Sequence, residues 1–379
     1  MKKFLAMLIL IATLVSLVAC GSDEETYDPV ESTEEEATVV MTLTVGDSSY
    51  DVKYELYRAF FLTYKSEVDG GNPDVWTGPD KDAYIEEIDA KIIDRIIEIY
   101  AAFAMCEEID FDIYSDDVED KIKENIKTSV EGGSYGSTTI EGYDSYDDYL
   151  EALKEMNLNY SVQTLLFRYA IAVDAIDTHY IGTVSSDDVD SDMSVGAIEY
   201  DENDVRDFYF SDECVRVLRL SFQKGISYTP EEKAYSMKEK LEAAAATGAT
   251  LEEKENKVFA AIMGQGLYSN AAEVKSGYVI GRYNLERSYY GEMTDAAFSI
   301  AEGEVSDPVE VVTDVEDSYY VLYRSYKSDE HFEENYESIK YIYLMNYVGE
   351  ILHGVSEELK ASVTYTDFLN ELDHSQIGM

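Results

Sequence analysis

Histidine and cysteine are scarce in this chain, with 4 and 3 among 379 residues. His179, His331, His353 and His374 are scattered, and no pair has the spacing of metal ligands, so neither a metal centre nor any other cofactor is expected. Beyond Cys20, only Cys106 and Cys214 remain, which excludes a disulfide framework. Both read as small buried hydrophobes, one ending an apolar helical stretch and the other preceding a strand. Positive charge is also sparse: 29 Lys plus Arg stand against 79 Asp plus Glu, a formal net charge of -50. Such a surface repels phosphate backbones and anionic headgroups, which argues against nucleic-acid partners. Tyrosine is abundant at 33 residues, and a hydrophobic content of 45% is ample for a folded core.

The N-terminus reads as an address. Lys2 and Lys3 precede an apolar run from Phe4 to Leu14, too short to span a bilayer comfortably and placed where a secretory signal belongs. Leu17-Val18-Ala19-Cys20, followed by Gly21 and Ser22, resembles a bacterial lipobox. That resemblance implies lipidation of Cys20 and residence on the outer face of the cell membrane of a Gram-positive-type bacterium. The competing reading is an ordinary signal peptide whose cysteine is incidental. Residues 22–38 hold eight acids and no base, so 21–38 is expected to be a disordered, self-repelling tether.

In the body, residues 39–53 alternate in strand fashion around Gly46-Asp47 and predict a hairpin, with a helix from Tyr54 to Val68. Ile85, Ile88, Ile92, Ile96, Ile99 and Phe103 share one stripe and predict a central helix. Ser115 is a candidate N-cap for a third helix, and a Gly/Ser/Thr-rich loop separates it from helices at 146–156 and 160–179. The pattern changes at Glu213. Val215, Val217, Leu218, Leu220 and Phe222 predict a buried strand, and Thr229-Pro230-Glu231-Glu232 predicts a capped helix start. The order β-α-α-β-α-β-β that follows predicts an α+β domain with a small sheet, and the chain turns helical again from Asp329.

The segment from Ala296 to Val309, AAFSIAEGEVSDPV, resembles the parvulin signature A-A-F-x-L-x-x-G-E-V-S-x-P-V. It follows a glycine-framed strand at Gly277 to Gly281 and precedes Asp317 to Leu322, as in that family. The upstream helices resemble the chaperone domain of the PrsA foldase and SurA families. The resemblance implies a signal peptide at 1–20, a helical chaperone-like domain at 39–212 and a parvulin-like domain inserted at 213–328. It further implies C-terminal helices at 329–379 that return to the first domain.

The implied function is a membrane-anchored foldase or chaperone whose partners are unfolded or proline-containing exported polypeptides. Parvulins place two histidines beneath a proline pocket; here Arg219 and Tyr320 fall at those positions, and no histidine lies between Tyr180 and Glu330. The family's usual Asp falls at or near Val279, and its pocket residues fall on Tyr289, Met293 and Phe298. Peptidyl-prolyl isomerase activity is therefore expected to be weak or absent. Two alternatives stand beside this reading: an isomerase in which Arg219 and Tyr320 replace the histidine network, and a surface lipoprotein that captures another ligand.

Overall fold

The computed structural model describes residues 27–69, 72–135, 138–182, 196–224, 229–266, 270–283, 287–312, 317–374 and 377. The expected signal sequence and Cys20 lie outside the described residues. The fold is α+β, with helices and small antiparallel sheets in two compact units. One holds the chain up to His179 together with Leu352 onward, and the other holds Tyr180 to Ile351. No helix of the described residues is long and apolar enough to cross a membrane.

In the first unit the alternating residues of 39–53 form strands β1 (Val39–Val45) and β2 (Ser48–Lys53), paired antiparallel around Gly46. Helix α1 (Tyr54–Asp69) buries Leu56, Tyr57, Phe60 and Phe61. The isoleucine stripe becomes α2 (Lys81–Glu108), and from Ile96 onward burial extends around nearly the whole helix, ending at Cys106. Ile85 stays only half-buried, because the helix enters the core a turn later than the stripe begins. Helix α3 (Asp116–Glu131) uses Ser115 as N-cap by backbone alone; its hydroxyl makes no capping bond. The Gly/Ser/Thr-rich loop contains a small hairpin, β3 (Gly133–Tyr135) with β4 (Thr138–Ile140), then α4 (Tyr146–Glu155) and α5 (Tyr160–Tyr180).

Acidity did not leave residues 27–38 free. The Tyr27 hydroxyl donates to Glu131 at 2.9 Å, Tyr146 donates to the Asp28 carbonyl at 2.8 Å, and Tyr27 and Tyr146 pack with ring centroids 5.2 Å apart. Aromatic contact and hydrogen bonding outweigh self-repulsion in this stretch. The last residues of the chain also belong to this unit: β9 (Thr364–Tyr365) pairs with β1, and a short helix, Asp367–Asn370, follows.

The second unit opens with α6 (Glu202–Phe210), whose Asp201 and Asp204 form a reciprocal capping box. Strand β5 (Cys214–Gln223) is followed by α7 (Pro230–Ala245), α8 (Leu251–Met263) and α9 (Ala271–Ser276). Then come β6 (Tyr278–Gly281), α10 (Arg287–Ser299), β7 (Val309–Val312), β8 (Asp317–Ser325), α11 (Asp329–Glu334) and α12 (Tyr336–Ser362). The sheet order is β6-β5-β8-β7, antiparallel throughout. Alternation along β5 sends Leu218, Leu220 and Phe222 to α7 and α8, and Val215 and Val217 to Met293 and Ala297 of α10. A strand covered on both faces reads as continuously apolar, which is how β5 is legible.

Thr229 departs from the expected cap. It adopts a left-handed φ of +51°, and its side chain makes no capping bond. Its carbonyl still accepts from Lys233 at 3.1 Å, so the helix starts where expected on main chain alone. Pro230 bars the residue before it from the right-handed helical region, which restricts the conformations left to Thr229.

Candidate functional site

Part of the AAFSIAEGEVSDPV segment, residues 303–306, has structural duties. Gly303 has φ +84°, and a Cβ there would meet Leu251 Cδ2 at 2.8 Å, so glycine alone makes this turn without strain. Its N–H donates to the Arg324 carbonyl at 2.8 Å, and the Arg324 N–H returns to Glu304 O at 2.9 Å. Ser306 is buried: its N–H donates to Leu322 O at 2.8 Å and its Oγ accepts from Leu322 N–H at 3.0 Å. Val305 bridges to Tyr323. Residues 303–306 thus lock the chain to β8.

The residues aligned with catalytic positions meet on the α10 face of the sheet. Arg219 pairs with Leu322 and Ser221 with Tyr320, which sets Arg219 and Tyr320 diagonally across the two central strands. The Arg219 guanidinium lies 3.6 Å from the Tyr278 ring centroid and 5.6 Å from that of Tyr320. Tyr320 is buried, while Arg219 and Tyr278 are half-buried. Met293 belongs to the same apolar cluster as Tyr320, and Phe298 packs against it under the Arg282 guanidinium, 4.4 Å from the ring centroid. Residue 289 lies on α10, but the side chain of Tyr289 is outside the described ones.

Val279, where the family's acid aligns, points to the other face, into a cluster with Phe208, Tyr209 and Phe332. Tyr278 is therefore the β6 residue that reaches the site. Sequence reasoning passed over it, although strand alternation would have named it once the register of β6 against Val217 was known.

Among the described residues of this site there is no histidine or carboxylate to act as a base. A guanidinium remains charged at any ordinary pH and cannot act as a base. It can donate hydrogen bonds in its plane while an aromatic face supports it, and its stacking on Tyr278 pre-orients it for a carbonyl. The two remaining thiols are unreactive: Cys106 and Cys214 are free and buried, and burial pushes each up to about 12.

His331, the histidine nearest this sheet in sequence, serves elsewhere. Its Nε2–H donates to Ser276 O at 2.7 Å, so Nδ1 accepts from the Tyr209 hydroxyl at 2.8 Å. Burial first, and the nearby Arg216 charge second, lower its pKa to about 4 and keep it neutral.

No protein-family model matches this chain, and no curated protein matches it. Among solved structures it is similar to the foldase protein PrsA from Streptococcus pneumoniae str. Canada MDR_19A. The two are 12% identical over 84% of this chain and 93% of the other, with a TM-score of 0.22, a likeness too slight to carry fold or function from one to the other.

Proposed function

We propose that this chain is a membrane-anchored, extracytoplasmic foldase or chaperone of exported proteins, tethered through a lipid on Cys20. In this reading the sheet unit is a parvulin-like domain, inserted into a helical chaperone-like chain, that holds polypeptide and isomerises prolyl bonds weakly or not at all. One observation carries it: Arg219 stacks on Tyr278 beside Tyr320, where the resemblance calls for two histidines.

The chemistry of the amide explains why that exchange matters. Rotation about an X-Pro bond faces roughly 18–20 kcal/mol because twisting costs resonance. A donor on the carbonyl oxygen strengthens that resonance, whereas a donor on the imide nitrogen weakens it. Arg219, offering a planar fork of donors, suits the carbonyl. Half-buried Phe298, backed by buried Met293, adds apolar surface for a proline ring or another side chain. Such a floor grips extended chain and gives the twisted amide no advantage.

The deciding experiment measures refolding of a proline-limited client, and aggregation of an unfolded one, with and without the purified chain. An unchanged refolding rate with aggregation suppressed is the expected result. Accelerated refolding that is lost in Arg219→Ala would establish instead an isomerase working without histidines. No effect in either assay at several-fold molar excess would end the foldase reading.

A further inference from the structure

A second feature of the sheet unit lies along the outer edge of β6. A cavity of about 820 Å³ opens there, within the size range of ligand pockets. Tyr278 and Val279 form part of one wall, Tyr341 and Leu344 of α12 part of another, and Ile198 and Tyr200 also line it. Tyr200 and Tyr341 are well exposed, at 37% and 46%.

Among the described residues, β5 is the one strand that pairs with β6. The Arg282 N–H donates to Glu213 O at 2.9 Å, and the register runs from Cys214↔Gly281 to Val217↔Tyr278. In an antiparallel ladder these bonds alternate, so the pair Arg216↔Val279 is one that does not bond across. The N–H and C=O of Val279 therefore turn away from β5, and Val279 is among the residues that line the cavity. An open strand edge of this kind is a template for a further extended chain.

Charge narrows the occupant. His331 lines the cavity but is neutral, with both ring nitrogens engaged. Lys340 is hydrogen-bonded to Glu337. Glu199, Asp201 and Glu202 are exposed around Tyr200, and Glu333 and Glu334 are exposed at the end of α11. The surroundings are negative and the walls aromatic, which favours a cation flanked by apolar surface.

We propose that this edge-strand cavity is a polypeptide-binding site, separate from the Arg219 face, that takes a short extended segment carrying Lys or Arg beside aromatic or aliphatic side chains. Backbone pairing at Val279 supplies the direction of the segment. The tyrosines and acidic rim select its side chains.

The test uses fluorescence anisotropy of the purified full chain with dansyl-Lys-Phe-Leu-Arg-Leu-Phe-amide at low salt. Saturable binding is expected, about 10-fold weaker when Lys and Arg of the peptide become Glu, and about 10-fold weaker in Tyr341→Ala, the scale of losing one interface tyrosine. Methylating every backbone nitrogen of the peptide keeps its side chains, removes its strand donors and should weaken it similarly. Tyr235→Ala, at a tyrosine 49% exposed on α7, leaves binding unchanged. Absent saturation, equal binding of the Glu or methylated peptide, or an indifferent Tyr341→Ala each overturns the proposal. Displacement by argininamide as effective as by unlabelled peptide would reassign the site to small cations and overturn it too. The assay reads neither refolding nor aggregation, so it stands or falls apart from the foldase reading.

Discussion

Arg216 and Arg219 stand three residues apart on one strand, face opposite sides of the sheet and have opposite fates. Arg216 is enclosed at 4% exposure, with Nη2 2.9 Å from a Glu255 carboxylate oxygen and further bonds to the carbonyls of Lys275, Ser276 and Tyr326. Each of its nitrogens is used within the fold. Arg219 lies against the Tyr278 and Tyr320 rings and remains half-buried. The same residue type thus serves as an enclosed rivet on one face and as a half-exposed, ring-stacked cation on the other. What separates them is burial.

The largest expected effect tests the rivet. Arg216→Ala removes the charged partner of Glu255 and a donor from the carbonyls of Lys275 and Tyr326, while Ser276 O keeps His331. A loss of about 3–5 kcal/mol in urea unfolding is expected, the scale for breaking a buried pair. Glu255→Gln should be milder, since burial already raises the pKa of Glu255 against the pull of Arg216. A loss below about 1 kcal/mol in Arg216→Ala would dissolve the contrast between the two arginines.

Acid probes the same face by another route. Ser276 O accepts from both Arg216 Nε and His331 Nε2, so a proton on His331 would put two cations on one carbonyl. With its pKa lowered from 6.5 to about 4, His331 takes up its proton more readily in the unfolded chain. The contribution of His331 is full above pH 6.5 and falls as pH drops toward 4, by up to about 3 kcal/mol. Asp177, its pKa raised by burial to about 7, works in the opposite sense over the same interval, so the decline is read as the difference between wild type and His331→Gln in thermal melts. A difference that stays constant across the interval would remove His331 from the account.

The smallest effect on stability belongs to Arg219→Ala. Loss of half-exposed stacking on Tyr278 and, at longer range, Tyr320 predicts about 1 kcal/mol by the same unfolding measurement, while client holding should suffer disproportionately. A destabilisation equal to that of Arg216→Ala would make Arg219 another rivet and withdraw it from the candidate site.

These differences mark where sequence reading reaches its limit. The β5 strand, the Ile88 to Phe103 stripe and the Pro230 helix start are legible because each depends on local periodicity or on one residue's geometry. The two arginines look alike in sequence; telling them apart needs Glu255, Tyr278 and the carbonyls at 275 and 276, all distant in the chain. The hairpin at Gly133 to Ile140 is hidden by residues that resemble loop. The capping of α7 follows Pro230 rather than the hydroxyl of Thr229. The cavity along β6 is invisible because its walls come from separate stretches, and the free side of Val279 exists only through the pairing of its neighbours.

The strand at Thr364–Tyr365 has a further consequence, for the timing of maturation. It pairs with β1, and Thr366 Oγ1 donates to the Val40 carbonyl across 326 residues of chain. A polypeptide made from its N-terminus delivers this clasp last, after the whole sheet unit. The first unit thus waits, incomplete, through the synthesis of the second, and its contacts between distant residues carry the entropy cost that slows folding. Truncation ahead of Thr364 would accordingly strike a strand made before the sheet unit.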